Sequence, residues 1–228
     1  MAKSKIIKDL VKNNINVEIA LMQLKVMLYN TEKKEICEWI DCELKGYMGK
    51  NIDVPNYRIS NGILKGNFLN YNTKAFNVAI PLRNEIDDKI KEFCSKITFS
   101  QGVAALQELC ENASKNGWAL AIEVPPDILP YIQKYSNISM TCLLSAQVEV
   151  SVSVVKNILS TIQYRLLEIL LLLEEEFGSL DDLDIDFTKK TNDKAIVIQK
   201  KIYNIMVDNH IEIGDQNKIV KSDILTGI

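Results

Sequence analysis

One long apolar segment, residues 152–178, constrains the fold of this chain more than any other feature of its sequence. Its apolar residues recur at spacings of three and four: Val154, Val155, Ile158, Leu159, Ile162, Leu166, Ile169, Leu170, Leu172 and Leu173. They cover most of the circumference of a helix, and a helix that is apolar on most sides lies inside a core. The sequence therefore predicts a long, buried helix around which the other elements pack.

The same segment does not predict a membrane span. Its longest uninterrupted apolar run is 169–173, with Arg165 and Glu168 before it and three glutamates, 174–176, after it. A transmembrane helix needs roughly 20 predominantly apolar residues. We therefore expect no membrane-spanning helix here.

Composition narrows the class of protein. The chain has 228 residues, 47% of them hydrophobic and 25% charged, which fits one large or two small globular domains. A net charge of -3 gives no chain-wide attraction to nucleic acid, although Lys3, Lys5, Lys8 and Lys12 could form a local basic face. Five cysteines and no apolar export segment near Met1 favour reduced thiols in the cytoplasm.

The first fifty residues predict two helices joined by a tight corner. Asn16 is the expected N-cap of the first helix. Its apolar face is predicted to contain Ile19, Met22, Val26 and Tyr29. Thr31 is the expected N-cap of the second helix, which should end at Gly46.

A different pattern follows Tyr47. Residues 57–60, 62–70 and 76–82 are punctuated by glycine, proline and asparagine and predict short strands. Residues 85–114 return to a helical period with a break near Ser100, and alternation over 144–153 predicts a strand that leads into the long helix. The predicted fold class is α+β, with a small, mainly antiparallel sheet.

This order of elements resembles the AbiTii domain of bacterial abortive-infection proteins over roughly residues 3–178. The W-x-x-x-E-L-x-G-Y motif of that family corresponds here to Trp39, Glu43, Leu44, Gly46 and Tyr47. An R-L-L motif in the last helix corresponds to Arg165, Leu166 and Leu167. The resemblance implies a part in defence against phage, and it supplies no catalytic residue.

A separate search for chemistry finds little. The only histidine, His210, excludes a multi-histidine metal site within one chain, and no nucleophile or phosphate-binding motif is present. Asp184 and Asp186 in an acidic run would suit Mg²⁺ in a metal-dependent enzyme acting on nucleic acid, and a solvated linker is the favoured alternative. No catalytic residue, cofactor or metal is predicted. Arg165, in an apolar helix, should reach a carboxylate, such as Glu43 or Glu149, or the surface.

The C-terminal part raises the question of what it packs against. Residues 179–200 are predicted to be a charged connector with an extended stretch at 195–199. Residues 201–228 are predicted to form a separate β module with two short strands around a turn at 214–217. So few residues cannot bury enough apolar surface to fold alone. We therefore predict a homo-oligomer, for example a trimer, formed through Ile205, Val207, Ile211, Ile213, Gly214, Asn217, Ile219 and Ile224. The alternative is that the tail folds back onto a sheet edge of its own domain.

These features give one preferred function and one alternative. The first is a non-catalytic, oligomerising defence protein with an AbiTii-like domain at 1–178, whose partners are its own copies and an unidentified phage or host factor. The second is a metal-dependent defence enzyme with an acidic or inter-protomer site. Nucleic acid is not an expected partner of the first.

Overall fold

A computed structural model describes residues 3–29, 31, 33–49, 53–70, 73–116, 119–136, 138 and 142–207. Within these residues the α-helices are α1 (Lys5–Val11), α2 (Val17–Met27), α3 (Lys34–Lys45), α4 (Asp88–Ser95), α5 (Val103–Asn116), α6 (Leu129–Tyr135), α7 (Val152–Phe177) and α8 (Asn192–Val207). The strands are β1 (Ile59–Asn61), β2 (Ile63–Asn70), β3 (Thr73–Ala79), β4 (Lys96–Thr98), β5 (Ala119–Glu123) and β6 (Cys142–Ser151). The predicted α+β class is confirmed.

The long helix α7 is the centre of the helical part, as predicted. It begins where the side chain of Ser151 accepts a hydrogen bond from the Ser153 amide, and it ends at Gly178. Helices α1, α2, α5 and α8 pack against it. Ile162, Leu166 and Leu173 are fully buried along its length, and burial of one such side chain contributes about 1.5–3 kcal/mol. No helix among the described residues is long and apolar enough to cross a membrane.

A four-stranded antiparallel sheet in the order β3-β2-β6-β5 packs one face against the same core. Its inner face includes Phe68 and Val148, while Lys65 and Glu149 form a 2.8 Å ion pair on the outer face. Strand β6 departs from the predicted alternation at one end. Asn67 pairs with Ser145 and Phe68 with Leu143, so Leu144 is skipped and exposed.

Strands β1 and β4 form a separate antiparallel pair. The sequence predicts that the helical pattern of Ile86 to Ile97 continues to a break near Ser100, whereas α4 ends at Ser95 and β4 follows at Lys96–Thr98. Ile97 is 3% exposed within β4, where it pairs with Ser60. The tertiary pairing therefore outweighs the helical spacing of the apolar residues around Ile97.

Helix α2 presents the opposite face from the one predicted. The buried side is made of Val17, Ala20, Leu21, Leu24 and Met27. The predicted face, Ile19, Met22, Val26 and Tyr29, is exposed to solvent. Periodicity could not decide between them because both sides of the helix are apolar.

The two predicted N-caps differ in outcome. Asn16 caps α2, since its side-chain oxygen accepts a 2.8 Å hydrogen bond from the Ile19 amide. The cap predicted at Thr31 is wrong, because α3 begins only at Lys34. The Thr31 amide donates to the Leu28 carbonyl, so Thr31 belongs to the turn that ends α2.

The C-terminal part of the described chain is helical where strands were predicted. Helix α8 covers the predicted extended stretch 195–199 and the first seven residues of the predicted β module, so both strand predictions are wrong there. Its buried residues are Ala195, Ile198, Gln199, Ile202 and Met206. They follow a helical period, and α8 packs against α7 and α3.

Glu174, near the end of α7, fixes the start of the chain. It accepts 2.6 Å hydrogen bonds from the amide and the hydroxyl of Ser4, and its other oxygen lies 2.6 Å from Lys3 Nζ. Partial burial alone would raise the pKa of Glu174. The hydrogen bonds from Lys3 and Ser4 outweigh that effect and lower the pKa to about 2.

This shift predicts a pH dependence of stability. The pKa of Glu174 is about 2 in the folded chain and 4.5 for an unperturbed glutamate. Its contribution to the free energy of unfolding is therefore complete above pH 4.5 and is lost as the pH falls to 2. We expect urea unfolding midpoints to decrease across this window. Glu174→Gln should be less stable at pH 6 and should lose less stability on acidification. An equal pH dependence in both proteins would contradict the assignment.

Candidate functional site

The polar centre of the molecule is a buried cluster that we call the motif cluster: Trp39, Glu43, Tyr47, Tyr57 and Arg58. Trp39 and Glu43 lie four residues apart on the same face of α3, and Tyr47 follows the helix end. Tyr57 and Arg58 come from a 3₁₀ turn, Asn56–Arg58, just before β1. Glu43 and Arg58 are both 0% exposed.

The carboxylate of Glu43 is the acceptor on which the cluster converges. Its Oε1 accepts hydrogen bonds from Tyr47 at 2.6 Å, from the hydroxyl of Tyr57 and from Arg58 Nε at 3.3 Å. Its Oε2 accepts from Arg58 Nη2 at 2.5 Å. Trp39 Nε1 donates to the Tyr57 hydroxyl at 3.2 Å. The charge of Glu43 is therefore paired and both of its oxygens are used, which is the condition for burying a carboxylate.

Arg58 connects this carboxylate to the start of α5. Its Nη1 donates to the carbonyls of Phe99 at 2.9 Å and Gln101 at 2.6 Å, and its guanidinium lies 4.9 Å from the centre of the Tyr47 ring. These carbonyls are in the segment between β4 and α5. The side chain therefore joins three parts of the chain that are distant in sequence.

The surroundings fix the charge states of the cluster. Burial raises the pKa of Tyr47 and of Tyr57, and the negative charge of Glu43 raises both further. Burial alone would lower the pKa of Arg58, but the hydrogen bond and charge of Glu43 raise it overall. At neutral pH the two phenols are therefore protonated donors and the arginine is cationic. The cluster is a set of satisfied hydrogen bonds suited to holding elements together.

Arg165 of α7 extends the cluster to the end of α8. Its guanidinium lies 4.3 Å from the centre of the Tyr57 ring, and its Nη1 donates a hydrogen bond to the carbonyl of Met206. Glu43, one of the carboxylates predicted for Arg165, is paired with Arg58. A cation at the last turn of a helix stabilises its unpaired carbonyls. Arg165 therefore fixes the position from which the chain continues beyond Val207.

The motif glycine, Gly46, has a backbone role next to this cluster. It ends α3 with φ 98° and ψ 162°, a conformation accessible almost only to glycine. A Cβ on Gly46 would lie 2.6 Å from the Ser100 carbonyl oxygen and 3.1 Å from the Gly102 nitrogen. The end of α3 and the start of α5 therefore touch through their backbones.

The AbiTii family model matches residues 4–200. The chain belongs to the AbiTii family. No curated protein and no solved structure matches it. Membership indicates a role in abortive infection, a form of defence against phage. The match continues past Gly178, the expected end of the resemblance, into α8.

The AbiTii motif residues are those that the structure brings together. Trp39 and Glu43 are four residues apart, a spacing that places side chains on one side of a helix, and Tyr47 follows four residues later, just beyond the helix end. This spacing was the available signal for a buried cluster. Tyr57 and Arg58 have no comparable spacing in the sequence, because a 3₁₀ turn in a polar segment places them next to Glu43.

The residues predicted to form an oligomer interface fall into two groups. Ile205 is half-buried against the core and Val207 is 39% exposed, and both lie on α8, beyond residue 200 where the family match ends. The others lie outside the described residues: Ile211, Ile213, Gly214, Asn217, Ile219 and Ile224. His210 also lies outside them. Their part in oligomerisation stays a prediction.

The acidic run at the end of α7 stabilises the AbiTii domain locally. Asp181 accepts a 2.7 Å hydrogen bond from the Lys5 amide at the start of α1, and Glu176 lies 3.4 Å from Lys190 Nζ. Asp186 accepts a 2.9 Å hydrogen bond from the amide of Thr188 and so begins a 3₁₀ turn. Within the described part of the chain, no three acidic, cysteine or histidine side chains come together as metal ligands would.

Proposed function

We propose that this protein acts in abortive infection as a self-assembling, non-catalytic component of the cytoplasm. Residues 208–228, which we call the tail, join copies of the AbiTii domain in this proposal. A phage or host factor would control the assembly. Family membership supports the defence role, and the path of the chain at α8 supports the use of the tail.

The observation on which this proposal depends is the packing of α8. The helix is folded onto α7 and α3 as far as Val207, and Arg165 holds its last turn. A tail of 21 residues, the difference between 228 and 207, follows it. Ordering each residue costs about 1–2 kcal/mol, so a tail this short needs apolar surface from elsewhere to become ordered. Another copy of the chain can supply that surface.

The engaged carboxylates favour a non-catalytic protein over the metal-dependent alternative. Glu174, Asp181 and Asp186 each accept a hydrogen bond that holds a neighbouring element. The carboxylate of Glu43 is similarly used by the motif cluster. Their positions are therefore explained by the stability of the fold.

A phage-challenge experiment tests the proposal. We expect cells that express the full chain to restrict phage plating and to arrest growth. A chain that ends at Val207 should lose this protection, with plating restored to the level of cells without the protein. As a matched control, Ile196→Gln with Val197→Gln changes two exposed apolar residues of α8 and should keep the protection. Protection by the truncated chain at the full level would refute a role for the tail.

A second variant addresses the enzymatic alternative. Asp184→Asn with Asp186→Asn removes the two negative charges that would suit Mg²⁺, while the amide oxygen introduced at position 186 can still accept the hydrogen bond from Thr188. We expect the same protection as with the unchanged protein. Immunoblotting should show equal amounts of both proteins in the cells. Complete loss of protection at equal abundance would contradict the non-catalytic assignment.

A further inference from the structure

Helix α2 has an apolar surface that the described residues of the chain leave uncovered. We call it the α2 stripe: Ile19, Met22, Val26 and Tyr29, which are 45%, 48%, 59% and 76% exposed. Ile19, Met22 and Val26 lie along one face of the helix, and Tyr29 follows just beyond its last residue. Single exposed apolar residues are ordinary, but a continuous row of four marks an interaction surface.

The stripe borders a groove formed with the segment that follows α7. Met22, Lys25, Val26 and Tyr29 line one side, and Leu183 and Asp184 line the other, around a volume of about 510 Å³. Lys25 is held at 2.6 Å by Asp41, so its charge is already paired at the groove edge. The groove therefore offers mainly apolar contact, with room for several side chains.

The tail has the complementary requirement. The sequence predicts two short strands around the turn at 214–217, with Ile211, Ile213 and Ile219 as their apolar residues. A two-stranded hairpin is marginally stable in water and becomes stable when it packs on a helix or a larger sheet. The α2 stripe is an uncovered apolar helix face of this kind. We propose that the α2 stripe is the surface on which the tail of a second copy of this chain docks.

The position and length of the tail make this contact possible. Lys33, just before α3, lies 5.0 Å from the centre of the Tyr203 ring in the penultimate turn of α8, so the tail begins near the corner that joins α2 to α3. An extended chain of 21 residues spans about 70 Å. The tail can therefore leave its own molecule and reach a neighbour. Within the described residues the stripe is uncovered, and the proposed self-assembly assigns its cover to the tail of a neighbour.

This arrangement rests on the proposed function, because it names the surface on which the self-assembling tail acts. Tail and stripe are different surfaces, so the contact is heterologous. Contacts of this kind close into rings when the rotation between neighbours allows it, and a trimer is one such ring.

A complementation experiment tests the inference. The first protein is the full chain with Met22→Gln and Val26→Gln, which keeps the tail and removes apolar surface from the stripe. Gln is a good helix former, so α2 should persist. The second protein ends at Val207 and keeps the stripe. Each should be a monomer alone by native mass spectrometry, and an equimolar mixture should form a one-to-one complex.

Controls separate failure of the inference from failure of the proposed function. Ile196→Gln with Val197→Gln should leave the full chain oligomeric, and Ile19→Gln with Tyr29→Gln should repeat the loss seen with the first α2 variant. Circular dichroism should show equal helix content in all variants. If both α2 variants stay oligomeric, or the mixture forms no complex, docking on the stripe is overturned. If the chain ending at Val207 oligomerises by itself, the proposed function is overturned as well.

Discussion

Arg58→Met is expected to lower the free energy of unfolding by about 3–5 kcal/mol, the usual cost of leaving one member of a buried ion pair without its partner. Glu43, at 0% exposure, would lose two hydrogen bonds from Arg58 and the positive charge that it faces. The carbonyls of Phe99 and Gln101 would also lose their donor. Urea unfolding followed by circular dichroism measures the change.

Two comparisons show whether burial causes this loss. Lys25→Met removes one member of the Lys25–Asp41 pair, whose side chains are 36% and 35% exposed, and should cost about 0–1 kcal/mol. Glu43→Met with Arg58→Met removes both charges and should lose less stability than the sum of the single changes. A loss below about 1 kcal/mol for Arg58→Met alone would contradict the account of the motif cluster.

Gly46→Ala is expected to cost about 3 kcal/mol or more, because two effects combine. A non-glycine residue at φ 98° and ψ 162° costs about 1–3 kcal/mol. The new Cβ would also lie 2.6 Å from the Ser100 carbonyl oxygen, so the ends of α3 and α5 would have to separate. That separation would disturb the Arg58 hydrogen bonds to Phe99 and Gln101 as well.

Gly178 provides a matched control for the backbone effect. It has φ 86° and ψ -148°, in the same glycine-only region, but among the described residues no atom other than those of its chain neighbours lies within 4 Å of the position of a Cβ. Gly178→Ala should therefore show the conformational cost alone, and the difference between the two variants measures the close approach of α3 and α5. Equal losses of stability in the two variants would show that the close contact between the ends of α3 and α5 contributes nothing to the cost of Gly46→Ala.

The family motif and the fold explain each other through these residues. Glu43, Gly46 and Tyr47 belong to the motif by which the chain resembles AbiTii proteins. In the structure they hold α3 against α5 and the 3₁₀ turn, and Tyr57 then supports Arg165 at the end of α8. The motif is therefore part of a support for α8.

Sequence reasoning succeeded where one strong local pattern coincided with tertiary packing. The spacing of Ile158, Ile162 and Leu166 predicted α7, and Asn16 and Gly46 predicted helix ends through side-chain and backbone chemistry. These signals depend on neighbours within a few residues. The tertiary structure agrees with them, so the predictions hold.

It failed where two patterns competed. In α2 both faces are apolar, and only packing against α7 and α3 decides that Leu21 and Leu24 are inside. In 195–199 a short β-branched run favoured a strand, whereas the longer period from Ala195 to Met206 is helical. The pairing of Glu43 with Arg58 depends on a turn whose position is set by distant contacts.

Multi-angle light scattering of the full chain and of a chain ending at Val207 tests the central claim most directly. The claim is that the tail, which follows Val207 at the end of α8, joins copies of this chain. The full chain should have a mass that is an integer multiple, two or more, of one chain, and the shortened chain should have the mass of one. The same number of chains in both particles would contradict the claim.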